Sequence, residues 1–327
     1  MLSGAGNYSS SELWNALVVP LSRHVIRGVV WYQGEANSEQ SRPGSTQSGW
    51  CNQCISGQIN CTAAVKVQCE SPANPTADGR TYLCSFPAMV ASWRNLWTKN
   101  TEGATEPEFA FGWAQLNSYG QPDGPRGHRV TPATQPLRNG TADPLGAWLP
   151  GFPSIRWAQT QSLALVPNSF QAVILDTPSP SGSIHSCFKQ PVGSRLARGA
   201  LATVYGRNDL QVTPSVASAR VDGKQLLITI ANATTLDVRA ALGFEVLTSS
   251  AWSSAPIVHC DGARTITLSL ANVMGKPEAV RYLWSNAPCS GGIFNCPVYV
   301  TVPKLGSLTG MNDTLPLGPT IVPVAAE

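Results

Sequence analysis

Five polar residues lie where apolar segments of the sequence end. Gln33, Glu35 and Asn37 follow one β-branched run, Asp176 closes another, and His185 lies in a glycine- and serine-rich loop ahead of a helical pattern. A neutral amide beside backbone N–H groups can hold a developing oxyanion, and an imidazole that titrates near pH 7 can move a proton. Together these residue types suit acyl transfer.

Each of these residues also has a structural interpretation. Gln33 and Asn37 could satisfy the backbone of their loop, and Glu35 could cap a helix or pair with Arg27 or Arg156. Asp176 could be a turn acid before a proline, and His185 an ordinary loop residue. The residues alone leave both interpretations open.

The elements that would position these side chains alternate along residues 1–210. Apolar runs near 25–31, 109–116 and 170–176 predict strands, and helical spacing of apolar residues predicts helices from about Pro87 to Trp97, at 157–165 and at 193–205. This alternation is typical of an α/β domain with a parallel sheet, which binds ligands at the carboxyl ends of its strands.

The remainder of the chain has a different pattern. Residues 211–304 contain segments that alternate by two, and Asp222-Gly223 predicts a hairpin, so we expect an antiparallel β-rich domain. Residues 305–327 are predicted to form a proline-rich tail. Within the first domain, a polar, cysteine-rich stretch at about 38–84 predicts an insertion.

The cysteines indicate an oxidising compartment. Nine cysteines and five Asn-x-Ser/Thr sequons predict a secreted or lysosomal protein, although residues 1–20 do not resemble a signal peptide. Cys289 and Cys296 are expected to close a small loop, whereas Cys187 and Cys260 have no obvious mate. For the group at 51–84, we favour disulfides over a thiolate zinc site, because only one tight Cys pair is present.

Composition excludes two classes of function. The net charge is +3, and the 22 Lys and Arg residues are scattered singly, so nucleic acid is not an expected partner. The sequence has no apolar stretch near the ~18 residues of a membrane-spanning helix.

A series of motifs resembles the sialate O-acetylesterase family of SGNH hydrolases. The series comprises Gly28-Val-Val-Trp-Tyr-Gln-Gly-Glu-Ala-Asn37, Phe86-Pro-Ala with Trp93-Arg94, Ile155-Arg-Trp157 with Gln159, Gly182-Ser-Ile-His185 with Lys189-Gln190, and Arg281-Tyr-Leu-Trp284. The resemblance implies part of the flavodoxin-like, three-layer SGNH fold. It also implies a serine esterase that removes O-acetyl groups from sialic acids, without metal or organic cofactor.

The same resemblance implies roles for individual residues. His185 matches the catalytic histidine and Gln33 the oxyanion-hole amide, and we place Asp176 as the third catalytic residue. We expect substrate contacts from the residues around them, namely Trp31, Glu35, Asn37 and Arg156.

The family's Gly-x-Ser nucleophile block has no counterpart in this sequence. We therefore expect the attacking serine upstream, in a missing amino-terminal half that would complete the sheet, so this chain would be a fragment. The alternative is a non-catalytic glycan-binding protein in which Trp31, Tyr32 and Trp157 stack on sugars. A third hypothesis is a structural zinc protein built on residues 51–84.

Overall fold

The first part of the chain forms a parallel three-stranded sheet. The structure is a computed structural model that describes residues 12–38, 79–120, 151–207, 209–210, 213–249, 251–289, 292–302 and 314–325. Strands β1 (Gly28–Trp31), β2 (Ala110–Ala114) and β3 (Ser169–Ala172) lie side by side in that order. Both pairings are parallel, as the alternation of strands and helices predicts.

Helices cover both faces of this sheet. Helices α1 (Gly79–Asn100) and α2 (Phe152–Gln161) contribute to the core that contains Phe111 and Trp113 of β2. Helix α3 (Lys189–Val204) packs on the opposite face, where Val192 meets Ala114 and Ala172. Short helical turns occupy Trp14–Val18, Pro20–Arg23, Glu35–Ser38 and Ser162–Ala164. The three-layer α/β arrangement is therefore confirmed.

Helix α1 begins earlier than its sequence predicts. We expected Pro87 in the first turn, but the helix starts at Gly79 and contains Pro87 in its interior. The aromatic rings of Tyr82 and Phe86, which precede this proline, stack at 5.3 Å and are buried. Their burial offsets the helix-breaking cost of a proline. Residues 79–84, which we had predicted to belong to the insertion at 38–84, are therefore part of the helix. The rest of that insertion, residues 39–78, lies outside the described part.

Two glycines fix the distance between α3 and the sheet. A Cβ atom on Gly112 of β2 would lie 2.1 Å from the Phe170 ring, and one on Gly199 of α3 would lie 2.2 Å from it. The ring of Phe170 therefore fills space that only glycine leaves open. This contact explains a glycine in the middle of a buried strand.

Strand β1 is less covered than its neighbours. All five residues of β2 are buried, whereas Val30 of β1 is 61% exposed, and β2 is its one partner among the described strands. Apolar side chains just before β1 are equally open: Leu17 is 60%, Leu21 57% and Val25 63% exposed. An apolar run of the type found in central strands thus forms an open edge here.

The second part of the chain is built from two β-sheets. The eight-stranded sheet has the order β8-β7-β11-β14-β4-β5-β10-β9, and the three-stranded sheet has the order β13-β12-β6. Buried residues of both sheets form one hydrophobic cluster. The strands are β4 (Ser215–Asp222), β5 (Gln225–Ala231), β6 (Thr235–Val238), β7 (Phe244–Leu247), β8 (Trp252–Ser254), β9 (Ile257–Cys260), β10 (Thr265–Ser269), β11 (Ala279–Tyr282), β12 (Val298–Thr301), β13 (Thr314–Pro316) and β14 (Thr320–Ala325).

Local predictions for this part are confirmed. β4 and β5 form the hairpin predicted at Asp222-Gly223, with Gly223 at φ 60° in its turn. Cys289 and Cys296 are joined by a disulfide.

None of the helices in the described ranges has the length and apolar character needed to span a membrane.

The predicted proline-rich tail is wrong for residues 314–325. Strand β14 lies inside the large sheet, antiparallel to β11 and parallel to β4. Pro323 cannot donate a ladder hydrogen bond, but the next residue, Val324, donates to the carbonyl of Glu278 at 2.9 Å. Proline count alone was therefore misleading, because the apolar residues around Pro323 still pair and pack as a strand.

Candidate active site

The loops that follow the three parallel strands meet at one edge of the sheet. Beyond β2, the Asn117 side chain donates to the Thr177 carbonyl at 2.5 Å, and Ser118 donates to the Leu175 carbonyl at 3.0 Å. Further along, Gly120 donates its backbone N–H to Gly182 at 2.9 Å. These bonds hold the loop after β3, which carries His185, against the loop after β2.

The loop after β1 is fixed through the backbone of Gln33. Its carbonyl accepts hydrogen bonds from Tyr82 of α1 at 3.3 Å and from Gln159 of α2 at 3.2 Å. Gly34 has φ 145°, and a Cβ atom there would lie 3.2 Å from Ile155. The positive φ and the tight packing require glycine at this position. Tyr82 and Gln159 support the site, although neither was predicted to do so.

The Gln33 side chain remains half-buried and is oriented by its own loop. Its amide donates to the Asn37 side chain at 2.7 Å, and the Asn37 backbone N–H donates to Gly34 at 3.0 Å. An amide has two N–H groups, so this bond leaves a second donor for a ligand. Gln33 and Asn37 thus satisfy the loop and present an amide at the same time.

Glu35 begins the short helical turn beside Gln33. It forms no ion pair with Arg27 or Arg156, which were its two possible partners from the sequence. Burial, followed by the negative charge of Glu35, raises the pKa of Tyr32 to about 12. The Tyr32 phenol is therefore neutral at physiological pH.

His185 lies at the surface of the loop after β3. Its imidazole is exposed, and its backbone N–H donates to the Ser183 hydroxyl at 3.1 Å. The preceding residue, Ile184, packs on the hydrophobic cluster that also receives Trp31 of β1. The loop is anchored by this half-buried apolar side chain, while the imidazole next to it is exposed.

A direct contact joins the two predicted catalytic loops. The Lys189 ammonium, four residues after His185, lies 4.3 Å from the centroid of the Tyr32 ring, next to Gln33. A cation over an aromatic face at this distance is an attractive interaction. We refer to the polar residues that are partly or fully exposed in and beside these loops as the rim group: Gln33, Glu35, Asn37, His185 and Lys189.

Asp176 has different partners from those predicted. Its carboxylate accepts two hydrogen bonds from Arg195 of α3, at 2.5 and 2.8 Å, and one from the Tyr299 hydroxyl at 3.0 Å. Burial and the Asp176 charge raise the pKa of Tyr299, which keeps the phenol protonated as a donor. No hydrogen bond joins Asp176 to His185. Asp176 instead ties α3 to strand β12, as a buried, fully bonded acid at the junction of the two parts.

Arg156 is also a junction residue, which corrects its prediction as a substrate contact. Its side chain is fully buried on α2, and burial lowers its pKa to about 9. It donates to backbone carbonyls on both parts of the molecule, at 2.6 to 2.9 Å: Leu116, Asn117, Ser285 and Asn286. All of the guanidinium nitrogens of Arg156 donate to backbone carbonyls, and no part of its side chain is exposed, so it cannot contact a sugar. We refer to Arg156, Asp176, Arg195 and Tyr299 as the seam.

The predicted aromatic platforms are packed against other rings. Trp31 meets Trp93 edge-on at 5.7 Å, and Trp157 meets Trp284 at 6.3 Å. One side of the Tyr32 ring is taken by Lys189. These contacts favour a core role over sugar stacking for Trp31 and Trp157.

The described residues offer no cluster of His, Cys, Asp and Glu side chains that could hold a metal ion. Cys84 and Cys187 are exposed free thiols and Cys260 is a half-buried one. The remaining cysteines, at positions 51, 54, 61 and 69, lie outside the described part, and so does the zinc hypothesis that depends on them.

Comparison with known proteins agrees with the motifs. Residues 215–308 match the family model for the sialate O-acetylesterase C-terminal domain. The rat sialate O-acetylesterase (Rattus norvegicus) is 31% identical over 312 residues, which are 91% of this chain and 46% of the rat protein. The chain belongs to the sialate O-acetylesterase family.

Other members of the family give the same extent of similarity. The human sialate O-acetylesterase (Homo sapiens) is 29% identical over 91% of this chain and 48% of its own length, and the mouse protein (Mus musculus) is 30% identical over 89% and 45%. The chain therefore spans about half the length of these relatives.

A solved structure shares the fold of this chain. A carbohydrate acetylesterase from Xanthomonas citri has a TM-score of 0.58 and 22% sequence identity, covering 95% of this chain and 53% of the other. At this identity the likeness establishes the fold.

Proposed function

We propose that this chain supplies the base and the oxyanion-binding side of an esterase that removes O-acetyl groups from sialic acids. The observation that carries the proposal is the contact between Tyr32 and Lys189, which sets the Gln33 loop beside the His185 loop at the carboxyl edge of the sheet. The choice of an O-acetyl ester on a sialic acid as substrate is supported by membership in a family whose relatives are named sialate O-acetylesterases.

The reaction follows from the chemistry of these groups. A serine hydroxyl attacks the acetyl carbonyl while His185 takes its proton, and the Gln33 amide with backbone N–H groups holds the oxyanion. The sugar alcohol leaves with that proton, and an acetyl-serine remains. His185 then takes a proton from water as the water attacks the acetyl carbon, and it gives that proton to the serine oxygen when the acyl bond breaks. The serine hydroxyl is regenerated, and acetic acid leaves and ionises to acetate.

The attacking serine comes from a further segment of α/β structure that pairs along β1. The open edge of that strand, with Val30 and the apolar side chains before it exposed, has the character of an interior strand that lacks a neighbour. About half the length of the relatives has no counterpart in this chain, which is enough for such a segment.

An assay of the full gene product tests the proposed function. Acetate release from O-acetylated sialic acid is expected, and His185→Ala should reduce kcat by roughly 10³-fold or more, because the base and acid of both steps are lost. His259→Ala, which removes an exposed imidazole from β9, is the matched control and should leave the rate unchanged. Unchanged turnover in His185→Ala would refute the assignment.

We also propose that the protein works in a secretory or lysosomal compartment. The Cys289–Cys296 disulfide and the exposed sequon at Asn232 support this location. Mass spectrometry of the protein from its natural source should find the disulfide and glycan at Asn232; reduced cysteines and unmodified sequons would count against it.

A further inference from the structure

Lys189 is a cation of the rim group that has no acidic partner among the described residues. It is exposed at the first position of α3, and no ion pair joins it to any carboxylate of the described residues, Glu35 included. Its ammonium is nevertheless held in one place, 4.3 Å from the centroid of the Tyr32 ring. A fixed, unneutralised positive charge therefore lies between the Gln33 and His185 loops.

Helix stability does not explain a lysine at this position. The amino-terminal end of a helix carries partial positive charge, so a cation in its first turn is unfavourable, and α3 has no acidic residue in that turn to compensate. The Tyr32 ring offsets part of this cost through the cation–π contact. Because burial and Glu35 keep the pKa of Tyr32 near 12, the phenol stays neutral and does not neutralise the lysine.

We propose that Lys189 recognises the carboxylate of an acidic sugar and so makes the site selective for sialic acids over neutral acetylated sugars. This inference rests on the proposed function and assigns its specificity to one side chain. A carboxylate is the group that distinguishes a sialic acid from a neutral hexose, and an ammonium is its natural partner. Glu35, on the same rim, would repel that carboxylate and is free to accept hydrogen bonds from sugar hydroxyls instead.

Binding of two matched ligands to this chain tests the inference. The probes are the methyl glycoside of N-acetylneuraminic acid and its carboxamide, which has the same shape without the charge, titrated by NMR at low salt. Wild type should bind the acid roughly three- to tenfold more tightly than the amide, as expected for one exposed charge pair. Salt should reduce this preference, because it screens exposed charges.

Three variants locate the effect. Lys189→Met should bind the acid and the amide equally, Lys189→Arg should keep part of the preference, and Lys224→Met, which removes an exposed lysine from the β4–β5 turn, should behave as wild type. A preference that survives in Lys189→Met would overturn the inference and leave the proposed function standing. A wild type that binds the two probes equally, or neither, would also overturn it, while acetate release by the full gene product judges the esterase assignment separately.

Discussion

The seam and the rim group use similar residue types for opposite purposes. In the seam, the guanidinium of Arg156 and the carboxylate of Asp176 are fully buried, and their bonds go to backbone carbonyls or to a buried arginine and tyrosine. In the rim group, Gln33 and Glu35 are partly exposed, and His185 and Lys189 are exposed. Unused hydrogen-bonding capacity, rather than charge or residue type, separates the residues available for chemistry from those that hold the molecule together.

This difference has a physical origin. A buried charge is tolerated where its hydrogen bonds are satisfied, and then it has nothing left to offer a ligand. A rim residue keeps solvent contact and retains donors or acceptors. Seam variants should therefore lower the stability of the fold, whereas rim variants should lower activity and leave stability nearly unchanged.

Replacing Arg156 should have the largest effect on folding. Arg156→Leu leaves the carbonyls of Leu116, Asn117, Ser285 and Asn286 without their donor at the junction, which should lower the free energy of unfolding by about 3–5 kcal/mol. Urea denaturation followed by tryptophan fluorescence measures this loss. Arg156→Lys, which can restore some of the bonds, should be intermediate; an unchanged midpoint in Arg156→Leu would show that the seam does not stabilise the fold.

Neutralising Asp176 should have a smaller but still substantial effect. Asp176→Asn keeps the shape but leaves Arg195, which is 9% exposed, without its counter-charge, and we expect a loss of about 2–3 kcal/mol. The control is Asp237→Asn, which breaks an ion pair with Arg239 whose side chains are 42% and 27% exposed and should cost less than ~1 kcal/mol. If the two variants lost equal free energy of unfolding, the buried carboxylate of Asp176 would stabilise the fold no more than the exposed carboxylate of Asp237.

Rim variants should have the smallest effect on stability. Gln33→Leu and His185→Ala remove groups that are partly or fully exposed, so each should change the free energy of unfolding by less than ~0.5 kcal/mol. The same denaturation measurement applies. A loss above ~2 kcal/mol in either variant would mean that the residue belongs with the seam rather than with the site.

Much of the fold followed from the sequence, because it depends on local pattern. The apolar runs that became β1, β2 and β3 and the hairpin at Asp222-Gly223 each carry a periodicity or a turn signal. Strand β14 was missed because its partners, β11 and β4, are distant in sequence and because Pro323 and the prolines before the strand are typical of a tail. Helix α1 was predicted too short, because Pro87 is a local signal that aromatic packing overrides.

The residues of the candidate site also divide into those with a local signal in the sequence and those whose partners are distant in the sequence. Gln33, Asn37 and His185 could be singled out because each follows a predicted strand or lies in a loop before a helix. No local signal distinguishes Asp176 from them, since its partners Arg195 and Tyr299 are 19 and 123 residues away. Arg156 and Gln159 were equally hidden, because their bonds to Ser285 and Gln33 exist only after the elements have packed.

The central claim, that the Gln33 and His185 loops form one acyl-binding pocket, is tested most directly by a crystal structure of this protein with a sialic acid analogue whose O-acetyl ester is replaced by an acetamido group. We expect the acetamido carbonyl to lie within hydrogen-bonding distance of the Gln33 amide, with the His185 imidazole on the other side of the same group. An analogue bound elsewhere, or a structure with these two side chains at opposite edges of the molecule, would contradict it.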